Sequence, residues 1–238
     1  MIKKTFSKIL KYYGYELKLI NKQVAHTDDM TLFRYLDNNG LFDYNKYKRN
    51  QIEANKQKIN ASWVKNENIE FLSKYLKNNI ANIRFGLCHG TRQGFEQKWF
   101  KKYLECEVIG TEISDNAKNY EDTIEWDFHN VKEDWLGSVD FIYSNALDHS
   151  YDPEKCLNAW MSCIRKDGLC IIEHTSSHEN SNSTDPFGAT LSKMPFLILS
   201  WGEGKFFPID IIHSPVTDSD RDYTSFIVIK KKELVALK

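Results

Sequence analysis

Residues 139–174 read VDFIYSNALDHSYDPEKCLNAWMSCIRKDGLCIIEH. Val139–Ser144 is an apolar run of strand length. Pro153–Arg165 then follows a helical period. Leu157, Trp160, Met161 and Ile164 recur at i, i+3, i+4 and i+7, and Pro153 stands near the start, where its missing N–H is harmless. Gly168 lies just beyond, where a left-handed cap is wanted. Leu169–His174 is a second apolar run. Two strands joined by one amphipathic helix make a βαβ unit, and the fold class it predicts is α/β with a parallel sheet.

The same alternation continues upstream. Ile83–Cys88 reads as a strand, followed by a glycine-containing turn and a helix over Gly94–Leu104, which carries Phe95, Trp99, Tyr103 and Leu104 on one side. Strands are predicted over Glu107–Ile113 and Asp122–Asp127. Downstream, Phe206–Ile212 and Tyr223–Lys230 have no helix between them, which predicts an antiparallel terminal pair. Pro208 suits an edge strand there, because it cannot donate to a ladder. Residues 189–200 read as a core helix. Ahead of the sheet, helices are expected over residues 2–13, 28–37, 43–59 and 67–78. Residues 1–60 are read as a helical N-terminal cap on a 61–238 catalytic domain.

Composition sets outer limits. At 238 residues the chain can bury one substantial core. No apolar run reaches the roughly 18 residues of a membrane-spanning helix. A net charge of −1 removes the general electrostatic case for nucleic acid. That near-zero sum conceals a basic surplus of six in residues 1–60 and an acidic surplus of seven in the rest. Five cysteines without a C-x-x-C pair make neither a disulfide framework nor a zinc ribbon. They read as reduced thiols in a cytoplasmic protein. The first residues lack the apolar stretch of a secretory signal, so none is expected.

In an open parallel sheet, ligands bind beyond the carboxyl ends of the strands. Those ends carry Cys88-His89-Gly90-Thr91-Arg92, Glu112, Asp127-Phe128, Ser144-Asn145 with Asp148-His149 close behind, and Glu173-His174 with His178. Gly86, Gly90 and Gly94 punctuate the first turn. Glu112 falls 22 residues after Gly90, about where an acid meets a ribose diol. The pattern reads as a nucleoside site.

These residues carry a resemblance. The glycine turn, Glu112, Asp127, the segment Asp140–Asn145, then Asp152–Leu157 and Lys166–Leu169, resemble a class I S-adenosylmethionine-dependent methyltransferase, closest to its small-molecule "type 11" group. The resemblance runs from about Ile83 to Lys232. It implies a Rossmann-like, doubly wound, seven-stranded, mostly parallel sheet of order 3-2-1-4-5-7-6, with S-adenosyl-L-methionine as cofactor. Carried over by position, Gly86, Cys88, His89, Gly90 and Thr91 form the turn beside the methionine portion. Glu112 and Ile113 take the ribose side, Asp127 and Phe128 the adenine, and Ser144 and Asn145 the methionine flank. The family's acidic-x-Gly-x-Gly-x-Gly motif meets Gly86-x-Cys88-x-Gly90-x-Arg92 here, without its acid and two of its glycines. Glu96, Gln51 or Glu53 is available to replace the acid, and Arg92 to reach a cofactor carboxylate or a substrate phosphate.

Methyl transfer to an alcohol needs a general base. His149, oriented by Asp148, is the first candidate and His174 the second. The same acids and imidazoles are metal-ligand types, but no ligand spacing supports a metal, and none is assigned. Ser176–Gly188 is a polar loop that reads as a lid over a hydroxyl-rich acceptor. The expected partner is a small polar molecule, such as a sugar or nucleotide-sugar of cell-surface polysaccharide synthesis, with no nucleic acid and no membrane span. Two alternatives stay open: a phosphorylated or amide-containing acceptor, and a non-catalytic cofactor-binding protein. The oligomeric state is not legible.

Overall fold

A computed structural model describes residues 24–232, apart from 28, 218 and 220. The helix expected over residues 2–13 lies outside that range. The main sheet has seven strands: β3 (Phe85–His89), β4 (Glu107–Glu112), β5 (Thr123–Glu125), β6 (Val139–Ser144), β7 (Ile164–Thr175), β9 (Phe206–His213) and β10 (Thr224–Lys231). Their spatial order is β5-β4-β3-β6-β7-β10-β9. Numbered within the sheet, this is 3-2-1-4-5-7-6, as the resemblance implies. β5, β4, β3, β6 and β7 pair in parallel, and β10 is antiparallel to both β7 and β9. β9 is an edge, and Pro208 sits in it at a register shift.

Helices cover both faces, so the central strands are apolar on both sides. Along β6, Phe141 and Tyr143 join one core and Val139 and Ile142 the other. β10 alternates in the same way, with Phe226 and Val228 against Ile227 and Ile229. One core packs under α2 (Asn66–Asn79) and α3 (Phe95–Leu104) through Ile69, Leu72, Leu76 and Phe100. The other packs under α4 (Pro153–Cys163) and α5 (Met194–Gly202) through Leu157, Trp160 and Trp201.

Two expectations are corrected. Residues 28–37 are not helical. β1 (Val24–His26) and β2 (Thr31–Phe33) form an antiparallel hairpin, which β8 (Phe187–Gly188) extends to three strands. The Phe33 N–H donates to the Pro186 carbonyl at 2.7 Å. Pairing with a distant segment outweighs the weak local helical pattern. Ahead of α2 the described residues therefore form a hairpin followed by α1 (Tyr44–Gln57), not helices alone. Gly168 is not a helix cap either. α4 ends at Cys163, and the chain turns straight into β7, with Ile164 extended at φ −61, ψ 133. Gly168 lies within β7, where a Cβ would stand 2.5 Å from the Asp140 carbonyl oxygen.

Candidate functional site

The parallel strands deliver their carboxyl ends to one rim, and α1 with the segment after it roofs that rim. Two adjoining cavities of about 250 and 50 Å³ lie beneath. They share Lys58, Gly90, Arg92, Ala146 and His149. Gly90 takes φ +75, and a Cβ there would stand 2.5 Å from the Ala146 side chain. Only glycine lets the turn run between the two strand ends.

The smaller cavity is lined by Glu112, Ile113, Asp127 and Phe128 from the sheet and by Tyr47, Gln51, Ala54 and Asn55 from α1. The Glu112 carboxylate is fixed at both oxygens: Arg92 N–H donates to Oε2 and Ser114 N–H to Oε1, each at 3.1 Å. Burial raises its pKa. Both Asp127 oxygens have protein partners. The Tyr44 hydroxyl donates to Oδ2 at 2.7 Å, while the His129 backbone N–H donates to Oδ1 at 3.0 Å and its ring Nδ1 stands 2.7 Å away. Burial opposes the Asp127 charge, but the bonds from His129 and Tyr44 prevail and hold its pKa low.

The larger cavity holds Thr91, Asn145, Asp148, Glu96, Glu173, His178, Asp185, Arg221 and Trp63. Among the described residues, six buried side-chain polar atoms have no hydrogen-bond partner. Four of them, Thr91 Oγ1, Arg92 Nε, Glu96 Oε2 and Asp148 Oδ1, belong to residues lining this cavity. Buried polar groups are otherwise almost always paired, so the cavity is built for a polar ligand. Burial drives the Glu96 pKa up to about 8. Glu173 and Glu112 add to the rise, and Arg92 opposes it.

His149 lines both cavities. Its Nδ1 faces two acceptors, the Thr184 carbonyl at 2.9 Å and Gln51 Oε1 at 3.1 Å, so that nitrogen carries the proton and Nε2 remains free to accept. Asp185 Oδ1 stands 3.7 Å from Nδ1. Asp148 does not orient His149: its Oδ2 instead lies 3.8 Å from His178 Nε2. Donor atoms of Asp148, His149 and Asp185 lie within 4.8 Å of one another, a grouping across two loops that no sequence spacing reveals.

Six expected site residues are not brought to the cavities. Gly86 lies inside β3, where a Cβ would stand 2.2 Å from the Phe141 ring. Cys88 is buried in the core beneath α3, and burial pushes its thiol well up. His89 points the other way, stacked on Trp160 at 5.0 Å, its pKa pushed down to about 3 by burial. The Ser144 hydroxyl donates to the His89 carbonyl and accepts the Ala146 N–H. His174, the second candidate base, is locked: Nε2–H donates to the Ala189 carbonyl at 2.9 Å, and Nδ1 is 3.1 Å from the Tyr223 hydroxyl. Burial, with His178 beside it, drives its pKa to about 4. Glu53 is exposed on the outer side of α1.

Sequence reasoning missed the roof. Tyr44, Tyr47, Gln51, Asn55 and Lys58 recur at helical spacing on one face of α1 and just past its end. Of these only Gln51 was singled out as a cofactor contact, because the strand ends that the stripe faces are remote in sequence.

No family model and no curated protein matches this sequence. Solved structures do match in shape. A Burkholderia thailandensis 1,6-didemethyltoxoflavin-N1-methyltransferase, with 1,6-didemethyltoxoflavin and S-adenosylhomocysteine bound, superposes at TM-score 0.62 and 12% identity, covering 88% of this chain and 99% of that one. The plantazolicin methyltransferase BpumL, with a triazolic desmethylPZN analog and S-adenosylhomocysteine, gives 0.60 at 13% identity, over 79% and 96%. An Aquifex aeolicus S-adenosylmethionine-dependent methyltransferase gives 0.51 at 14%, over 79% and 98%. The fold is that of the class I methyltransferases. In that fold the two cavities stand where the doubly wound topology puts a ligand, at the switch between β3 and β6. No described helix is long and apolar enough to cross a membrane.

Proposed function

We propose that the chain is an S-adenosylmethionine-dependent methyltransferase acting on a small polar acceptor, with residues 1–60 as a cap over the 61–238 domain. The observation that carries this reading is Glu112. Its carboxylate is clamped by two backbone N–H groups at the end of the second strand of a class I sheet, facing a cavity bounded by Phe128 and Ile113. In this reading the ribose diol of the cofactor lies on Glu112 and its base between Phe128 and the α1 side chains. The cofactor supplies a methyl group on a positively charged sulfonium. The protein's part is to align the acceptor and remove its proton.

In this reading His149 takes that proton at Nε2, held by the Thr184 carbonyl, Gln51 and Asp185. A hydroxyl-rich acceptor such as a sugar or nucleotide-sugar suits the larger cavity, whose walls offer Asn145, Thr91, Ser177 and several charged groups. O-methylation in polysaccharide synthesis is the role we assign. Free thiols at all five cysteines suit a cytoplasmic setting.

Calorimetry with S-adenosylmethionine and S-adenosylhomocysteine tests the reading, and no binding of either ligand would remove it. His149→Ala is expected to lower turnover about 10²-fold or more, the usual contribution of a general base. Its affinity for S-adenosylhomocysteine should fall far less than its turnover, since the ring is assigned to the acceptor's proton. Full turnover of a sugar-nucleotide panel by this variant would exclude His149 as base.

A further inference from the structure

The unpartnered atoms of the larger cavity include two from one turn of chain, one on an acid and one on a base. Glu96 Oε2, near the start of α3, lacks a hydrogen, and Arg92 Nε, four residues earlier, lacks an acceptor. Both residues line the cavity beside Gly90. The rest of the Arg92 guanidinium is held by the roof: Nη1 donates to the Ala61 carbonyl at 3.0 Å and to the Lys58 carbonyl at 3.4 Å. This aims a fixed fork while leaving Nε unused. Glu96 is 5% exposed and lines the cavity. A buried carboxylate and a buried guanidinium N–H, each wanting a partner, together match a zwitterion carrying an ammonium and a carboxylate.

Building on the methyltransferase reading, we propose that Glu96 and Arg92 bind the amino-acid end of S-adenosylmethionine, Glu96 taking the α-ammonium and Arg92 Nε–H the α-carboxylate. The position usual for an ammonium-binding acid is Gly86, which has no side chain and is closed off by the Phe141 ring. Glu96 reaches the same strand end from the helix. The groups facing Glu96 are Glu173 from β7, Glu112 from β4, Tyr143 from β6, Cys88 from β3 and Arg92 from the turn. Two further acids around it make an ammonium a favoured occupant.

The test uses the full chain and three ligands in calorimetry at one pH. S-adenosylhomocysteine has the whole amino-acid end. Its decarboxylated analogue, 5′-deoxy-5′-(3-aminopropylthio)adenosine, keeps only the ammonium. Methylthioadenosine has neither group. Glu96→Gln should weaken the first two about tenfold or more, as loss of one charge-assisted bond does, and leave methylthioadenosine within twofold. Arg92→Lys should weaken only S-adenosylhomocysteine. Equal effects of Glu96→Gln on all three ligands, or none on S-adenosylhomocysteine, would overturn the assignment while leaving the methyltransferase reading intact. Failure of the parent protein to bind any of the three would overturn both. Methylthioadenosine affinity and the melting temperature report whether each variant is folded.

Discussion

Glu112→Ala is expected to weaken both S-adenosylhomocysteine and methylthioadenosine about a hundredfold. The carboxylate is pre-positioned, because Arg92 N–H and Ser114 N–H each occupy one oxygen at 3.1 Å, and Glu112 lines the smaller cavity. Two hydrogen bonds from ribose hydroxyls to a charged acceptor contribute roughly 1.5–3 kcal/mol each. Part is lost to the ordering and desolvation that binding costs. A net of about 3 kcal/mol is a hundredfold in affinity. Because both ligands carry the ribose, both must weaken together. This separates Glu112 from Glu96, whose loss should spare methylthioadenosine. Unchanged affinity for methylthioadenosine would mean that the ribose lies elsewhere. Glu112→Gln, which still accepts one backbone N–H at its carbonyl oxygen, should weaken binding less than Glu112→Ala.

Asp140→Ala is expected to be the most destabilising single change described here, by about 3–5 kcal/mol, the usual cost of breaking a buried ion pair from one side. Asp140 is 4% exposed, at the opposite end of β6 from the site. Its Oδ2 accepts the N–H groups of Arg84 and Phe85 at 2.7 and 2.8 Å, and its Oδ1 accepts from Arg165 Nε. Arg165 also donates to the Ala81 carbonyl at 3.0 Å. One carboxylate thus joins the entry to β3 with β6 and β7. Removing it leaves two backbone N–H groups and a guanidinium without that partner. For a chain of this length the melting temperature should fall by roughly 6–20 °C. Asp140→Asn keeps an acceptor oxygen and should lose less. A fall of under about 2 °C for Asp140→Ala would show that the pairing is not structural. Affinity for S-adenosylhomocysteine should hold within about twofold at a temperature where the variant is folded, because Asp140 touches neither cavity.

The parts legible in the sequence are those where local pattern and tertiary environment agree. Val139–Ser144 was bounded correctly because a strand buried on both faces is a continuous apolar run, closed here by Gly137 on one side and the polar Asn145 on the other. The terminal pair was legible because no helix pattern separates it. Glu112 was legible because the distance from turn to acid follows from the βαβ unit itself. The β1–β2 hairpin was not, since its third strand, Phe187–Gly188, is about 150 residues away and only pairing makes it extended. Gly168 was misassigned because a glycine after a helix has the same appearance whether it caps the helix or clears a neighbouring strand.

The candidate site divides in the same way. Gly90, Thr91, Asn145 and His149 reach the cavities as strand-end residues should. Gly86, Cys88, His89, Ser144 and His174 share those strand ends but point into the cores or are held by backbone groups, because side chains alternate along a strand and half of them must face away. Glu96 and Gln51 were among the candidates for the missing acid, and only the tertiary structure brings them, with Asp185, to the cavities.

The sequence by itself determined a parallel sheet with an antiparallel terminal pair and the rim that carries the ligand groups, because apolar periodicity and strand–helix alternation set these locally; the strand order came with the family resemblance. Only the tertiary structure decided which polar side chains look inward. Local spacing sets the face a residue occupies, but whether that face meets water, a core or a ligand depends on segments remote in the chain. At the cavities this brings Lys58 and Arg92, from the end of α1 and the first turn, beside Glu96, Glu112 and Glu173, which come from three separate elements.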